Sequence, residues 1–114
     1  MKVPIYLVDA FAAAPFRGNP AGVCPLDAWL PDEVMQAIAA EMNQAETAFF
    51  VPVAGSDGCD YQIRWFTPAL EVDLCGHATL ASAAVVFARL RPELERVVFA
   101  SRSGPLPVSR SGAT

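Results

Sequence analysis

Gly76-His77-Ala78-Thr79-Leu80-Ala81-Ser82-Ala83-Ala84-Val85-Val86-Phe87-Ala88-Arg89-Leu90 is an apolar run with almost no polar face. Its length and its alanines predict one helix over Gly76–Leu90, buried on all sides, with small residues that let other elements approach closely. A helix of this kind must be enclosed by something, and the flanking sequence supplies strands. Before it come Tyr61 to Thr67 and Ala48 to Val53, joined through Ala54-Gly55-Ser56-Asp57-Gly58. After it come Arg96 to Ser101 and Leu106 to Arg110, joined through Arg102-Ser103-Gly104-Pro105. Both pairs have the β-branched and aromatic content of strands and the turn residues of hairpins.

Further out, Val3 to Phe11 and Ala21 to Leu26 also carry strand composition. The loop Phe16-Arg17-Gly18-Asn19-Pro20-Ala21-Gly22 lies between them, and Pro20 restricts Asn19 to extended backbone. Asp32 to Asn43 is predicted as a helix. Pro31, Asp32 and Glu33 suit its first turn, and Val34, Ile38 and Met42 recur at i, i+4 and i+8. A further short strand fits Glu71-Val72. The order is β-β-α-β-β-α-β-β, an α+β domain whose curved, antiparallel or mixed sheet wraps the second helix.

The chain has 114 residues, enough for a single domain over 1–114. Its hydrophobic fraction is 54% and its charged fraction 18%, a surplus that suggests surface to cover and hence an oligomer. A net charge of −4 without a Lys/Arg cluster argues against nucleic acid and anionic membranes as partners. No apolar run reaches the ~18 residues of a membrane span, and the first residues lack a signal-peptide pattern. Three cysteines, Cys24, Cys59 and Cys75, without a CxxC spacing fit free thiols in a reducing cytoplasm.

Two segments carry candidate chemistry. In Gln44-Ala45-Glu46-Thr47 a carboxylate sits between a helix end and an apolar strand. Such a group is partly desolvated and suited to taking up and returning a proton. In Asp73-Leu74-Cys75-Gly76-His77-Ala78-Thr79 a thiol, a glycine and the chain's one histidine open the second helix. The backbone N–H groups of Gly76, His77 and Ala78 would favour an anion there. His77 reads equally as a residue bonded to backbone or as a surface histidine. One histidine without a second well-spaced ligand does not make a metal site. Asn19 could orient a substrate or simply bond its own turn. Asp73 reads as the cap of the second helix.

Five segments together resemble one family. They are Val8-Asp9-Ala10-Phe11, Phe16-Arg17-Gly18-Asn19-Pro20-Ala21-Gly22-Val23, Ala45-Glu46-Thr47-Ala48-Phe49, Arg64-Trp65-Phe66-Thr67-Pro68 and Cys75-Gly76-His77-Ala78-Thr79. In this order they resemble the phenazine-biosynthesis PhzF-like isomerase family, which has the diaminopimelate epimerase-like fold. The resemblance implies two similar halves around a cleft, of which this chain matches the first. It also implies a cofactor-independent isomerase or epimerase that moves a proton on a small carboxylate-bearing metabolite. Glu46 is then the general acid/base. Asn19, Cys75, Gly76 and His77 line the substrate site, without metal or cofactor. In related epimerases the cysteine at the Cys-Gly position is itself an acid/base; here the resemblance gives that role to Glu46. With one half present, a homodimer is expected to complete the cleft. The rival expectations are a non-catalytic carboxylate-binding or interaction protein and a truncated, inactive half of such an enzyme.

Overall fold

A computed structural model describes residues 3–8, 20–53 and 58–110. Seven strands form one mixed sheet: β1 (Tyr6–Val8), β2 (Ala21–Pro25), β3 (Thr47–Pro52), β4 (Tyr61–Phe66), β5 (Glu71–Val72), β6 (Arg96–Ser101) and β7 (Gly104–Ser109). The main path runs β1-β2-β3-β4-β6-β7, with β5 paired to β4 beside it. Pairs β2/β3 and β4/β6 are parallel and the others antiparallel. Each parallel pair is bridged by a helix: α1 (Asp32–Met42) between β2 and β3, and α2 (Gly76–Val85) between β4 and β6.

Strand alternation sends successive side chains to opposite faces, and both faces are covered. Val23, Ala48, Phe50, Ile63, Trp65, Val97, Phe99 and Val108 join Ala78, Ala81, Ala83 and Val85 of α2 in the larger core. Within it the rings of Phe50, Tyr61 and Phe99 meet at centroid distances of 5.0–5.9 Å. Phe50 stands edge-on to the other two, the arrangement the ring quadrupoles favour. Strands from both ends of the sheet contribute, so α2 is wrapped as expected. Cys24, Phe49 and Phe66 face the other way and pack with Met35 and Ala39 of α1. Being covered on both sides, β3 is buried from Thr47 through Val51.

Four details depart from the sequence reading. The second helix is not regular to its end: α2 stops at Val85, and Val86–Leu90 forms a π-helical turn closed by Arg91 N–H on Val86 O at 2.7 Å. Nor is it buried on all sides, since Ala84, Ala88, Arg89 and Leu90 are exposed. Alanine is so small that it reads as core in sequence yet costs little in solvent. The buried face of α1 is Met35 and Ala39, while Val34, Ile38 and Met42 are only half-buried. Finally, Asp73 is not the cap of α2. It is exposed and pairs with Arg102 at 3.4 Å, and Cys75 holds the cap position.

Candidate functional site

Glu46 enters the site from the turn between α1 and β3. Asn43 ends α1 in the left-handed region, φ 52°, its N–H bonding Ala39 O at 3.1 Å. Three residues later the Glu46 carbonyl accepts from Gly22 N–H at 3.1 Å, which fixes its backbone against β2. Alternation from Thr47 puts Glu46 on the face that carries α2. A Cβ at Gly22 would lie 3.0 Å from Thr47 Oγ1 and 3.2 Å from Met42 Cε, so the glycine is what lets β2 close against β3 here.

Cys75 enters from the start of α2. Its backbone is extended, φ −147° and ψ 101°, and its Sγ accepts Ala78 N–H at 3.4 Å in the manner of a cap. The Cys75 carbonyl is held twice by Thr79, through N–H at 3.0 Å and Oγ1 at 2.7 Å. Deeper in α2, Ser82 Oγ donates to Ala78 O at 2.8 Å, satisfying a hydroxyl on a helix that has no solvated face at that point.

The two anchored residues meet. The Cys75 thiol donates to Glu46 Oε1 at 3.0 Å. Burial pushes the thiol up to about 11, and the bond to Glu46 and its charge add to that rise; the N–H groups of Ala78 and His77 oppose it. The raised thiol keeps its proton at neutral pH, so Cys75 is the hydrogen-bond donor of the pair and Glu46 Oε1 the acceptor. Sequence inspection had named both residues but gave no reason to join them. The sequence expectation of Ala78 N–H as a donor to a bound anion is corrected, since that N–H is aimed at the Cys75 sulfur.

Gly76 is exposed, and a Cβ built on it meets nothing within 4 Å. Open space thus lies in front of the helix start. His77 follows, half-buried. A cleft of about 330 Å³ adjoins Gly76, lined also by Leu74, Thr79, Leu80, Leu106 and Pro107. Neither this cleft nor a larger recess of about 470 Å³, between Tyr6, Leu26, Tyr61 and Leu90, is lined by Glu46, Cys75 or His77. Asn19 lies outside the described residues. Among the described residues, no group of three or more His, Cys, Asp or Glu side chains is placed to hold a metal.

Sequence reading missed an ion-pair network on the α1 side. Arg64 grips Glu71 through two nitrogens at 2.7 and 2.8 Å and reaches Asp32 at 3.1 Å. Its guanidinium lies 5.4 Å from the ring centroids of both Trp29 and Phe66. Arg102 adds contacts to Glu71 and Asp73 at 3.3 and 3.4 Å, and Ser103 Oγ donates to Asp73 O at 3.0 Å. The network joins β4, β5 and the β6–β7 turn to the segment that leads into Cys75. The alternation of β4, which turns Arg64 away from the α2 face, is the signal that could have placed it.

A mixed sheet wrapped on an apolar helix, with a carboxylate and a thiol meeting at the helix start, defines an α+β fold whose candidate site lies at the start of α2. The chain belongs to the phenazine biosynthesis-like PhzC-PhzF family, whose model matches residues 8–114. It is 60% identical over 112 residues to an uncharacterized isomerase of Pseudomonas aeruginosa, an alignment covering 98% of this chain and 42% of that protein. It is 48% identical to a human phenazine biosynthesis-like domain-containing protein, over 97% of this chain and 40% of the relative. A PhzF-family crystal structure from Enterococcus faecalis superposes with a TM-score of 0.88 at 53% identity, covering 96% of this chain and 41% of that one. A predicted epimerase from Pseudomonas aeruginosa superposes at 0.79 with 30% identity, over 97% of this chain and 40% of its own. The chain therefore has the fold of this family and spans about two fifths of the length of these relatives.

Proposed function

We propose that the chain carries the proton-transfer half of a cofactor-independent isomerase site. The substrate is a small carboxylate-bearing metabolite. Glu46 removes a proton from a carbon near the substrate's carboxylate, the electron pair delocalises into the adjoining π-system, and the protonated Glu46, which exchanges its proton with solvent, delivers one to another carbon. No electrons are gained or lost overall. The start of α2 at Gly76 and His77 receives the substrate carboxylate, where the helix dipole favours negative charge. A second copy of the chain, paired through the apolar surface around Leu74 and Leu80, completes the cleft in the cytoplasm.

The observation that carries this reading is the Cys75–Glu46 hydrogen bond, 3.0 Å long. In it the protonated thiol donates and the carboxylate accepts, so that Glu46 and not Cys75 serves as the base. Further support comes from the open space at Gly76 and from the exposure of Leu74 at the mouth of the adjoining cleft. The isomerase and epimerase names of the relatives agree with it.

The test is a panel of small aromatic and aliphatic carboxylic acids incubated with the protein in deuterium oxide. Proton exchange into one or more of them, lost in Glu46→Gln, supports the reading. Amide shifts at residues 75–79 without any exchange would favour a carboxylate-binding protein instead. Light scattering at micromolar concentration tests the pairing, and a stable monomer would count against it.

A further inference from the structure

Both backbones at the site are fixed. Glu46 is tied to β2 through Gly22, and Cys75 is tied to the first turn of α2 through Thr79. What such anchoring leaves undetermined is the Glu46 side chain. A glutamate has three rotatable bonds, and a side chain that samples many rotamers spends little time in the one that reacts.

The thiol supplies the missing constraint. Ala78 N–H points at the sulfur from the helix side, at 3.4 Å. The sulfur thus accepts on one side and directs its own proton toward Glu46 Oε1 on the other. The result is a chain of hydrogen bonds running from the positive end of α2 through sulfur to the carboxylate, each link polarising the next.

We propose that Cys75 is a positioning residue for Glu46, its S–H holding one carboxylate oxygen in place so that the acid/base group is presented in a single orientation. This rests on the reading of Glu46 as the proton-transferring group. Cys75 needs no contact with substrate for it, and no ionisation. The raised thiol agrees, because only the protonated form can donate. It also separates two roles that one residue could otherwise combine: a thiolate base would have lost the proton that the positioning bond requires.

The experiment is spectroscopic and needs no substrate. The S–H stretch occupies an infrared window free of other protein bands and moves to lower wavenumber when the thiol donates. The wild-type minus Cys75→Ala difference spectrum identifies the Cys75 band. In Glu46→Ala, with the thiol intact, that band should move to higher wavenumber; no movement would overturn the proposal. In a second measurement the carboxyl carbon of Glu46 is followed by NMR. Its resonance should shift in Cys75→Ala and return most of the way in Cys75→Ser, whose hydroxyl can donate the same bond and accept Ala78 N–H. A packing role alone would not be rescued by serine, so a Glu46 resonance that stays displaced in both variants, or moves in neither, overturns positioning. If the infrared coupling holds while Glu46→Gln leaves proton exchange intact, the assignment of Glu46 as the base fails and the bond itself stands.

Discussion

The thiol of Cys75 donates to Oε1 of Glu46 across 3.0 Å, although the two residues lie 29 positions apart. One is a helix cap tied to the first turn of its own helix through Thr79, and the other precedes β3 and is tied to β2 through Gly22 N–H. The sheet register therefore sets their distance. Anything that shifts β3 relative to β2, or α2 relative to the sheet, changes it.

A general base contributes on the order of 10²–10⁴-fold to a proton transfer. Glu46→Gln is close to isosteric, so exchange of the reactive substrate in deuterium oxide is expected to fall by about that factor, with the far-ultraviolet spectrum and unfolding midpoint nearly unchanged. Cys75→Ala should cost less, about ten-fold, because it loosens the base without removing it. If Cys75→Ala abolishes exchange and Glu46→Gln does not, the roles are reversed and the chemistry is of the cysteine-based epimerase type.

Alkylation reports the protonation of Cys75 directly, since the thiolate is the nucleophile. With its thiol raised to about 11, Cys75 should react slowly with iodoacetamide at neutral pH, and faster as pH climbs toward that value. Glu46→Gln removes the negative charge and should shift the rate–pH curve to lower pH. The shift will be partial, because burial, the largest cause of the rise, remains. Cys24, pushed up to about 12 by burial, serves as the internal control that does not respond to Glu46. Peptide mass spectrometry over a pH series reads both sites, and a Cys75 that alkylates rapidly at neutral pH in the wild type contradicts this picture.

Much of the fold is legible in the residues because its strands and helices obey strong local patterns. The alternation of Tyr61, Ile63 and Trp65 against Gln62 and Arg64 marks β4, and the turn residues Arg102 to Gly104 mark the last hairpin. What local pattern does not specify is which strands pair. The parallel β2/β3 and β4/β6 contacts depend on helices crossing between them, and nothing in either strand announces its partner. The site was legible as two motifs and not as one bond for the same reason. The cap was misread because Asp is the stronger capping type, yet Asp73 sits two residues early and is drawn to Arg102, leaving a thiol to do the work. The end of α2 is not legible because Ala88, Arg89 and Leu90 are good helix formers, Val86 and Phe87 continue the apolar run, and none of the five carries a sign of the extra residue in the turn.

Gly22 is expected to tolerate no side chain. An added Cβ would sit 3.0 Å from Thr47 Oγ1, 3.1 Å from Thr47 Cγ2 and 3.2 Å from Met42 Cε. Methionine can move, but Thr47 is fully buried on a central strand and cannot. Gly22→Ala should therefore destabilise by about 1–3 kcal/mol, the usual cost of overpacking. Because Gly22 N–H also holds the Glu46 carbonyl, the same change should perturb the Glu46 carboxyl resonance. Urea unfolding at equal m-values measures the first effect. A Gly22→Ala protein as stable as the wild type would mean that β2 and β3 separate more easily than their contact suggests.

The Arg64–Glu71 pair makes a prediction about pH. Both side chains are mostly covered, at 19% and 17% exposure, and the contact is bidentate. The hydrogen bonds from Arg64 hold the Glu71 carboxyl below its ordinary value of 4.5, burial opposes them, and the charges of Arg64 and Arg102 assist. A carboxyl depressed in the folded state binds its proton more weakly there than in the unfolded chain. It stabilises the fold above its unfolded value, and that contribution is lost as pH falls through the folded value. Stability measured by urea unfolding should therefore be level near neutrality and decline below about pH 4.5, the ordinary value of this carboxyl. In Glu71→Gln the side chain no longer titrates, so the protein should start about 1–2 kcal/mol less stable at neutral pH, the worth of a charge-assisted contact with some solvent screening. Its decline on acidification should be correspondingly shallower. Parallel curves for the two proteins would show that Glu71 contributes no pH-dependent stability and that Arg64 is held by Asp32 and the rings of Trp29 and Phe66 alone.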